Sequence, residues 1–410
     1  MELRPILSTL RRHKLTAWLL ILEIALTCAI VCNAVFLIRQ RLQHMDMPSG
    51  IAEHQLVQIK LGYIGNTLDA KAQTQTDVAA LQQIPGVKQV WLDRYLPFST
   101  DGMSNTGIDL NPHQQENTLD AGQYLGQNLL PTLGVRLVEG RNFLPGEYVD
   151  FDTAVVDLNR GDLRGLPQVM IITRAVAERL WPGQEALGKT LYTDSGIPFR
   201  VIGVIAALAR QGNLQQGAYY STYWPLRMTS ADGASYFIRC APRDRESVLT
   251  AAVAKLKQLN PHRVVLKART YDQARREFFA NDRAMAGMLV GVIAALLIVT
   301  ALGIVGLASF WVAQRRRMIG VRRALGATRG DILRYFQTEN FLLATFGIAL
   351  GMVLAYGINL FLMLHYEIPR LPTFYLPMGA IALWLIGQIA VLGPALRAAA
   401  VPPVVATRSV

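Results

Sequence analysis

The residues that most resemble a reaction centre are Gly183-Gln-Glu-Ala-Leu-Gly188-Lys189-Thr190, which fit G-x-x-x-x-G-K-[ST] letter for letter. In a phosphate-binding loop the glycines let backbone N–H groups approach the phosphates, the lysine reaches the outer ones, and the hydroxyl holds Mg²⁺. That chemistry requires a buried strand before the loop and a helix N-terminus after it. Here Ala177-Glu-Arg-Leu-Trp-Pro182 reads as the end of a helix, and Asp194-Ser-Gly196 soon follows as a turn. There is also no apolar strand ending in aspartate to act as Walker B, and no L-S-G-G-Q stretch. Gly183, Gly188, Lys189 and Thr190 are therefore expected to be a false match, and no cofactor is expected on this chain.

Other chemistry is equally thin. The six histidines are scattered, with no H-E-x-x-H and no G-x-S-x-G, so no catalytic and no metal-binding residues are expected. Cys28 and Cys32 lie one helical turn apart without His or carboxylate partners and read as small buried hydrophobes rather than ligands. Cys240 stands alone, so no disulfide is expected in its segment. Glu23 sits in an apolar run where a bare carboxylate costs a few kcal/mol. It reads as a polar contact to a neighbouring helix, with Thr27 one turn on as a partner, and Asn33 is read the same way.

The elements that position these residues are mostly apolar: 51% of the 410 residues are hydrophobic and 17% charged. Four runs carry few charges, 15–38, 284–312, 341–364 and 375–396, each long enough for the ~20 residues a membrane span needs. The first exceeds the usual h-region of a secretory signal and leads to Arg39-Gln-Arg41 instead of an A-x-A site, so it reads as a retained anchor. Much of the +12 net charge flanks the runs, which argues for membrane orientation and membrane lipid rather than nucleic acid. Residues 1–14, with Arg4, Arg11, Arg12 and Lys14, and residues 313–340, with seven arginines, are placed in the cytoplasm. The short loop 365–374 falls outside, and the tail 397–410 returns inside.

That leaves residues 39–283 on the far side, room for two subdomains. A strand, helix and strand at 55–61, 74–83 and 87–92 are followed much later by the same order at 236–240, 244–259 and 263–267, broken by Asn260-Pro261. Two such units can share one sheet. The expected fold is an α-helical membrane protein with four transmembrane helices plus an α+β extracytoplasmic domain: a ferredoxin-like porter lobe, about 39–100 and 222–283, with an inserted lobe at about 101–221. The run 284–312 continues from Tyr271–Arg283 without an obvious break and overshoots the hydrocarbon, as either a tilted helix or a stalk. Gly347-x-x-x-Gly351 has the small-x-x-x-small form of a helix-packing face and is a candidate dimer contact.

The most informative stretch is Arg315-Arg-Arg-Met-Ile-Gly-Val-Arg-Arg-Ala-Leu-Gly-Ala-Thr-Arg-Gly-Asp-Ile-Leu333. Met318, Ile319, Val321, Leu325 and Ile332 offer an apolar stripe among arginines, suited either to anionic lipid or to a groove on a soluble partner.

This run closely resembles the hallmark of MacB/FtsX-type ABC transporter permeases, which include the lipoprotein-releasing Lol permeases. The likeness extends to a basic amphipathic entry helix over residues 1–14, to Ile84-Pro-Gly-Val-Lys-Gln-Val90, to Ile171-Ile-Thr-Arg-Ala-Val-Ala-Glu-Arg-Leu-Trp-Pro-Gly183, and to Pro394-Ala-Leu-Arg-Ala-Ala-Ala400 with Val404–Ala406. The resemblance implies an inner-membrane permease with its large domain in the periplasm, coupled to an ATPase through Ile319, Gly320, Arg322, Arg323, Leu325, Gly326 and Ala327. It also implies a non-catalytic subunit, with ATP and Mg²⁺ on a separate ABC ATPase, since MacB carries a fused nucleotide-binding domain and this sequence has none. A second permease, identical or paralogous, is an implied partner, as are a periplasmic adaptor and an outer-membrane duct. Export of a peptide, antibiotic or lipid-linked substrate leads; an FtsX-like transducer activating a cell-wall enzyme and a membrane-anchored sensor without ATPase are the alternatives.

Overall fold

The computed structural model describes residues 14–63, 69–112, 114–212, 217–366 and 370–400. The expected amphipathic helix before residue 14, loop residues 367–369 and the tail beyond residue 400 lie outside them. The chain divides into one compact unit of residues 46–281 and another made by the residues before and after it.

The first helix, α1 (Lys14–Met45), continues past the hydrophobic run expected to end at 38. The outer unit then opens with β1 (Leu56–Tyr63), α2 (Ala70–Gln82) and β2 (Gln89–Asp93). Helix α2 starts earlier than the apolar pattern indicates because Asp69 caps it, its carboxylate accepting the Ala72 N–H at 2.9 Å.

The inserted lobe contains β3 (Asn105–Asp109), β4 (Leu119–Leu125), α3 (Leu129–Leu133), β5 (Leu137–Gly140), β6 (Val149–Asp150), α4 (Phe151–Asn159), β7 (Val169–Thr173), α5 (Arg174–Leu180), β8 (Thr190–Thr193), β9 (Pro198–Ile205), β10 (Ser221–Trp224) and β11 (Leu226–Arg227). Its large sheet runs β5-β9-β7-β10-β4-β3-β8, and because β8 also pairs with β9, the strands from β9 to β8 close on themselves. Strand β10 pairs with β4 and β7, so the lobe boundary lies beyond Trp224, not at residue 221 as expected. Short strands with both faces buried, such as β7 and β10, carry no alternation to mark where they pair.

The chain returns through β12 (Ser235–Arg239), α6 (Arg245–Leu259), β13 (Arg263–Thr270) and α7 (Tyr271–Phe278). The two ends of the unit build one antiparallel sheet, β13-β1-β12-β2, in which Val57 faces Ile238 and Ile59 faces Tyr236. A polar cluster ties this sheet together: Asp101 accepts from Gln58 of β1 at 2.7 Å and from Arg269 of β13 at 2.8 Å, and also pairs with Lys267. Burial pushes the Asp101 carboxyl upward, but bonds from Lys267, Gln58 and Ser99 and the Arg269 charge prevail and hold it at about 2.

Three further long helices, α8 (Ala280–Gln314), α10 (Arg329–Tyr366) and α11 (Tyr375–Ala399), join α1 as membrane spans, with the short α9 (Arg316–Ala324) between α8 and α10. The expected unbroken run into the second span is interrupted at Phe279, whose φ of −89° and ψ of 13° close α7 before α8 begins. Gly347 and Gly351 do not form a free dimer face. A Cβ at Gly347 lies 2.8 Å from the Ile24 side chain and one at Gly351 2.5 Å from that of Cys28, so both glycines seat α1 against α10. Cys28 is buried in this seam, whereas Cys32, one turn on, is buried against Tyr375 and Gly379 of α11.

Candidate functional site

The basic segment is two helices and a turn rather than one amphipathic helix. Helix α9 ends where Gly326 takes φ +99°, a left-handed value that suits glycine, and the Ala327 N–H bonds back to the Arg322 carbonyl. Thr328 and Asp331 then cap α10 reciprocally: the Asp331 carboxylate accepts the Thr328 N–H at 2.9 Å, and the Thr328 hydroxyl accepts the Asp331 N–H at 3.2 Å. Residues 329–340, expected in the loop, are therefore the first turns of the third span's helix.

This geometry splits the expected stripe. Ile319 and Ile332 are each 3% exposed and pack with Val312, Phe336, Ala395 and Ala398, where the ends of α8, α10 and α11 meet. Gly320 is buried beside them. Leu325, by contrast, is 84% exposed at the tip, with Met318 and Val321 also outward. Of the seven expected coupling residues, Leu325 and Gly326 are exposed at the tip, while Ile319 and Gly320 are buried in the base on which it stands. Arg323 donates to the Ala399 carbonyl at 2.9 Å, Arg322 lies over the Tyr335 ring, and Ala327 packs against the base.

What the sequence pattern does not show is the pairing of Arg315 with Glu339. Arg315, the N-cap position of α9, donates to both carboxylate oxygens of Glu339 at 3.0 and 2.9 Å and lies over Trp311. Both side chains are nearly inaccessible, 8% and 1% exposed. One signal was available: Glu339 is an acid just before an apolar run and opposite a block of arginines.

Inside the spans, Glu23 and Thr27 do not pair as expected. Thr27 shares a hydrogen bond with Thr300 of α8 at 2.9 Å, while the Glu23 carboxylate lies over Gly303, 2.7 Å from where a Cβ would stand. Asn33 donates to Ala29 in its own helix and to Ala355 of α10. At the other end of α8, buried Asp282 accepts from Arg41 at 2.7 Å and meets His44 at 3.3 Å. Helix α8 buries few of its residues, and Met288, Ile298, Val299 and Leu302 face outward.

The Gly183–Thr190 match lies in the inserted lobe, between a helix and a strand, the reverse of a phosphate loop. Gly188 donates its N–H to Val201, Lys189 bonds Gln184 and lies over Trp181, and Thr190 begins β8. Among the described residues no group of His, Cys, Asp or Glu is placed to hold a metal ion.

A family model for the MacB-like periplasmic core domain matches residues 24–259, and one for the FtsX-like permease C-terminal matches residues 290–403. The chain is 28% identical over 266 residues to the uncharacterized ABC transporter permease YvrN of Bacillus subtilis, covering 61% of this chain and 64% of YvrN. It is 28% identical over 348 residues to the pyoverdine export ATP-binding/permease protein PvdT of Pseudomonas syringae pv. syringae, covering 82% of this chain and 48% of PvdT. The chain thus spans less than two thirds of either relative. The crystal structure of the extracellular domain of the transporter YknZ from Gram-positive bacteria aligns with 51% of this chain and 100% of its own, at 18% identity and a TM-score of 0.30.

Proposed function

The chain belongs to the FtsX-like family of ABC transporter permeases with a MacB-like periplasmic core domain, and from that premise we propose that it is the force-transmitting subunit of an ATP-driven exporter. ATP, with Mg²⁺, is hydrolysed on a separate cytoplasmic ATPase, and the chain itself is not an enzyme. A second permease covers the outward residues of α8. The cargo is a peptide, antibiotic or lipid-linked molecule delivered on the periplasmic side of the inner membrane, where an adaptor and an outer-membrane duct can receive it.

The observation that carries this reading is the exposed Leu325 tip on a buried Ile319 base. Leu325 at 84% exposed, with Met318 and Val321 also outward on the same short segment, gives the tip an apolar surface that a partner would cover. Displacement of the tip reaches α8 through Arg315, which belongs to the junction of α8 and α9. Helix α8 leads by the chain itself into α7 and the outer unit, and α1 leads into β1.

The test is copurification of the full chain with its ATPase, followed by Leu325→Asp and Gly326→Asp. Both variants are expected to reach the membrane in normal amounts and to lose substrate-dependent control of ATP hydrolysis. An unaltered ATPase response in both would remove this assignment of the tip.

A further inference from the structure

Two hydrogen-bond donors are buried in the spans without an acceptor. Trp311 of α8 and Asn340 of α10 are 4% and 5% exposed. Among the described residues, neither the Trp311 Nε1 nor the Asn340 Nδ2 has a hydrogen-bond partner. A buried donor left unmade costs its full desolvation, and folded proteins normally meet it with another protein group or with ordered water. Both donors line one cavity of about 10 Å³, to which all four spans contribute, Leu20 from α1 and Val391 from α11 among them. Glu339 lines it too, and the remaining walls are apolar.

Size, polarity and charge together define what fits. A single water needs roughly 10–15 Å³ of such space, so the cavity admits one and excludes any organic molecule. The indole and the carboxamide N–H both donate, so the occupant must accept twice. Arg315 and Glu339 neutralise each other, and a carboxylate in the wall repels an anion, so the acceptor is neutral. The same carboxylate offers about four acceptor positions, of which Arg315 fills two, and it can take a hydrogen bond from the occupant. Gly387 of α11 gives the amide room without giving it a partner, since a Cβ there would stand 3.2 Å from the Asn340 Nδ2.

We propose that this cavity is a specific hydration site, in which one long-lived water accepts from Trp311 Nε1 and Asn340 Nδ2 and donates to the Glu339 carboxylate. The water extends the Arg315–Glu339 pair to the indole of α8 and the amide of α10, so the polar groups of the junction act as one network. Trp311 and Asn340 are then positioning residues, holding the carboxylate through the water they bind. The site needs neither ATP nor a partner chain and goes beyond the exporter reading, so the failure of either leaves the other standing.

The experiment uses the full chain in lipid nanodiscs, labelled with nitrogen-15 at its tryptophan indoles, with the Trp311 resonance identified by its loss in Trp311→Phe. A magnetisation-transfer peak between the Trp311 indole proton and a long-lived water is expected. Asn340→Leu should abolish that peak and lower the melting temperature. A dry cavity predicts the reverse, no peak and a higher melting temperature for Asn340→Leu, because an unpaired buried amide has been exchanged for an apolar group of similar size. A Trp311 resonance that moves when chloride is replaced by gluconate marks an anion instead. A high-resolution cryo-EM map of the unsubstituted chain decides without any variant, since density within hydrogen-bond distance of both nitrogens is expected there. No such density, no water peak, a peak that survives Asn340→Leu, or the chloride response overturns the proposal.

Discussion

Arg315 and Glu339, 24 positions apart, meet through two hydrogen bonds at the junction of three helices, and neither side chain reaches solvent to any useful degree. The pair fixes the last turn of α8 to the first turns of α10. Removing one member leaves the other charge buried and unpaired, a change that typically costs about 3–5 kcal/mol. Glu339→Ala should therefore lower the melting temperature in detergent, whereas Arg315→Met with Glu339→Leu should recover it. If the pair also carries movement, the double variant stays stable but uncoupled from the ATPase; full coupling would make it a purely structural clamp.

Leu325 makes a contrasting prediction, because its exposure leaves nothing in the chain to lose. Leu325→Asp should change stability by less than about 0.5 kcal/mol, the usual scale for surface positions. Ile319→Asp, in the buried base, should fail to accumulate. Quantifying membrane-extracted protein for both variants separates the tip from its support.

Gly351→Val should disrupt the seam between α1 and α10, since a Cβ there stands 2.5 Å from the Cys28 Cβ and 2.7 Å from the Ala25 carbonyl oxygen. Overpacking of this kind costs about 1–3 kcal/mol. The same substitution at Gly357, where a Cβ meets nothing, should be tolerated, as thermal unfolding followed by size-exclusion can establish.

Asp101 should give the outer unit an acid-sensitive fold. Its carboxyl is held at about 2, below its unfolded value, so its contribution is complete above that unfolded value and lost as pH falls through the folded one. A depression of this size corresponds to about 2 kcal/mol. Asp101→Asn should lower stability at pH 7 and flatten its dependence between about pH 4 and pH 2. Denaturant midpoints of both proteins across that range test it.

Much of this architecture is written in local pattern. The apolar runs mark the spans because only a helix satisfies its own backbone in hydrocarbon, and Asn260-Pro261 ends α6 because the position before proline resists the helical conformation. The rest depends on partners distant in sequence. Helix α1 outruns its hydrophobic stretch because Arg41 and His44, which look like loop residues, turn onto Asp282. Gly347 and Gly351 identify a close contact without identifying the helix that makes it. The basic stripe reads as one surface until Gly326 divides it, with Ile319 inward and Leu325 out. Arg315 was hidden among identical neighbours; only Glu339, 24 positions on, distinguishes it.

The seam at Gly347 and Gly351 also has a mechanical meaning. Backbone touching side chain leaves little room for compression, so α1 and α10 form a stiff stator. Helix α8 is held differently: the Thr27–Thr300 bond, an ion pair near each end and the apolar contacts of Ile304, Ala308 and Trp311 fasten it. On the exporter reading proposed above, a load on the turn after α8 would meet those fasteners before it met the glycine seam.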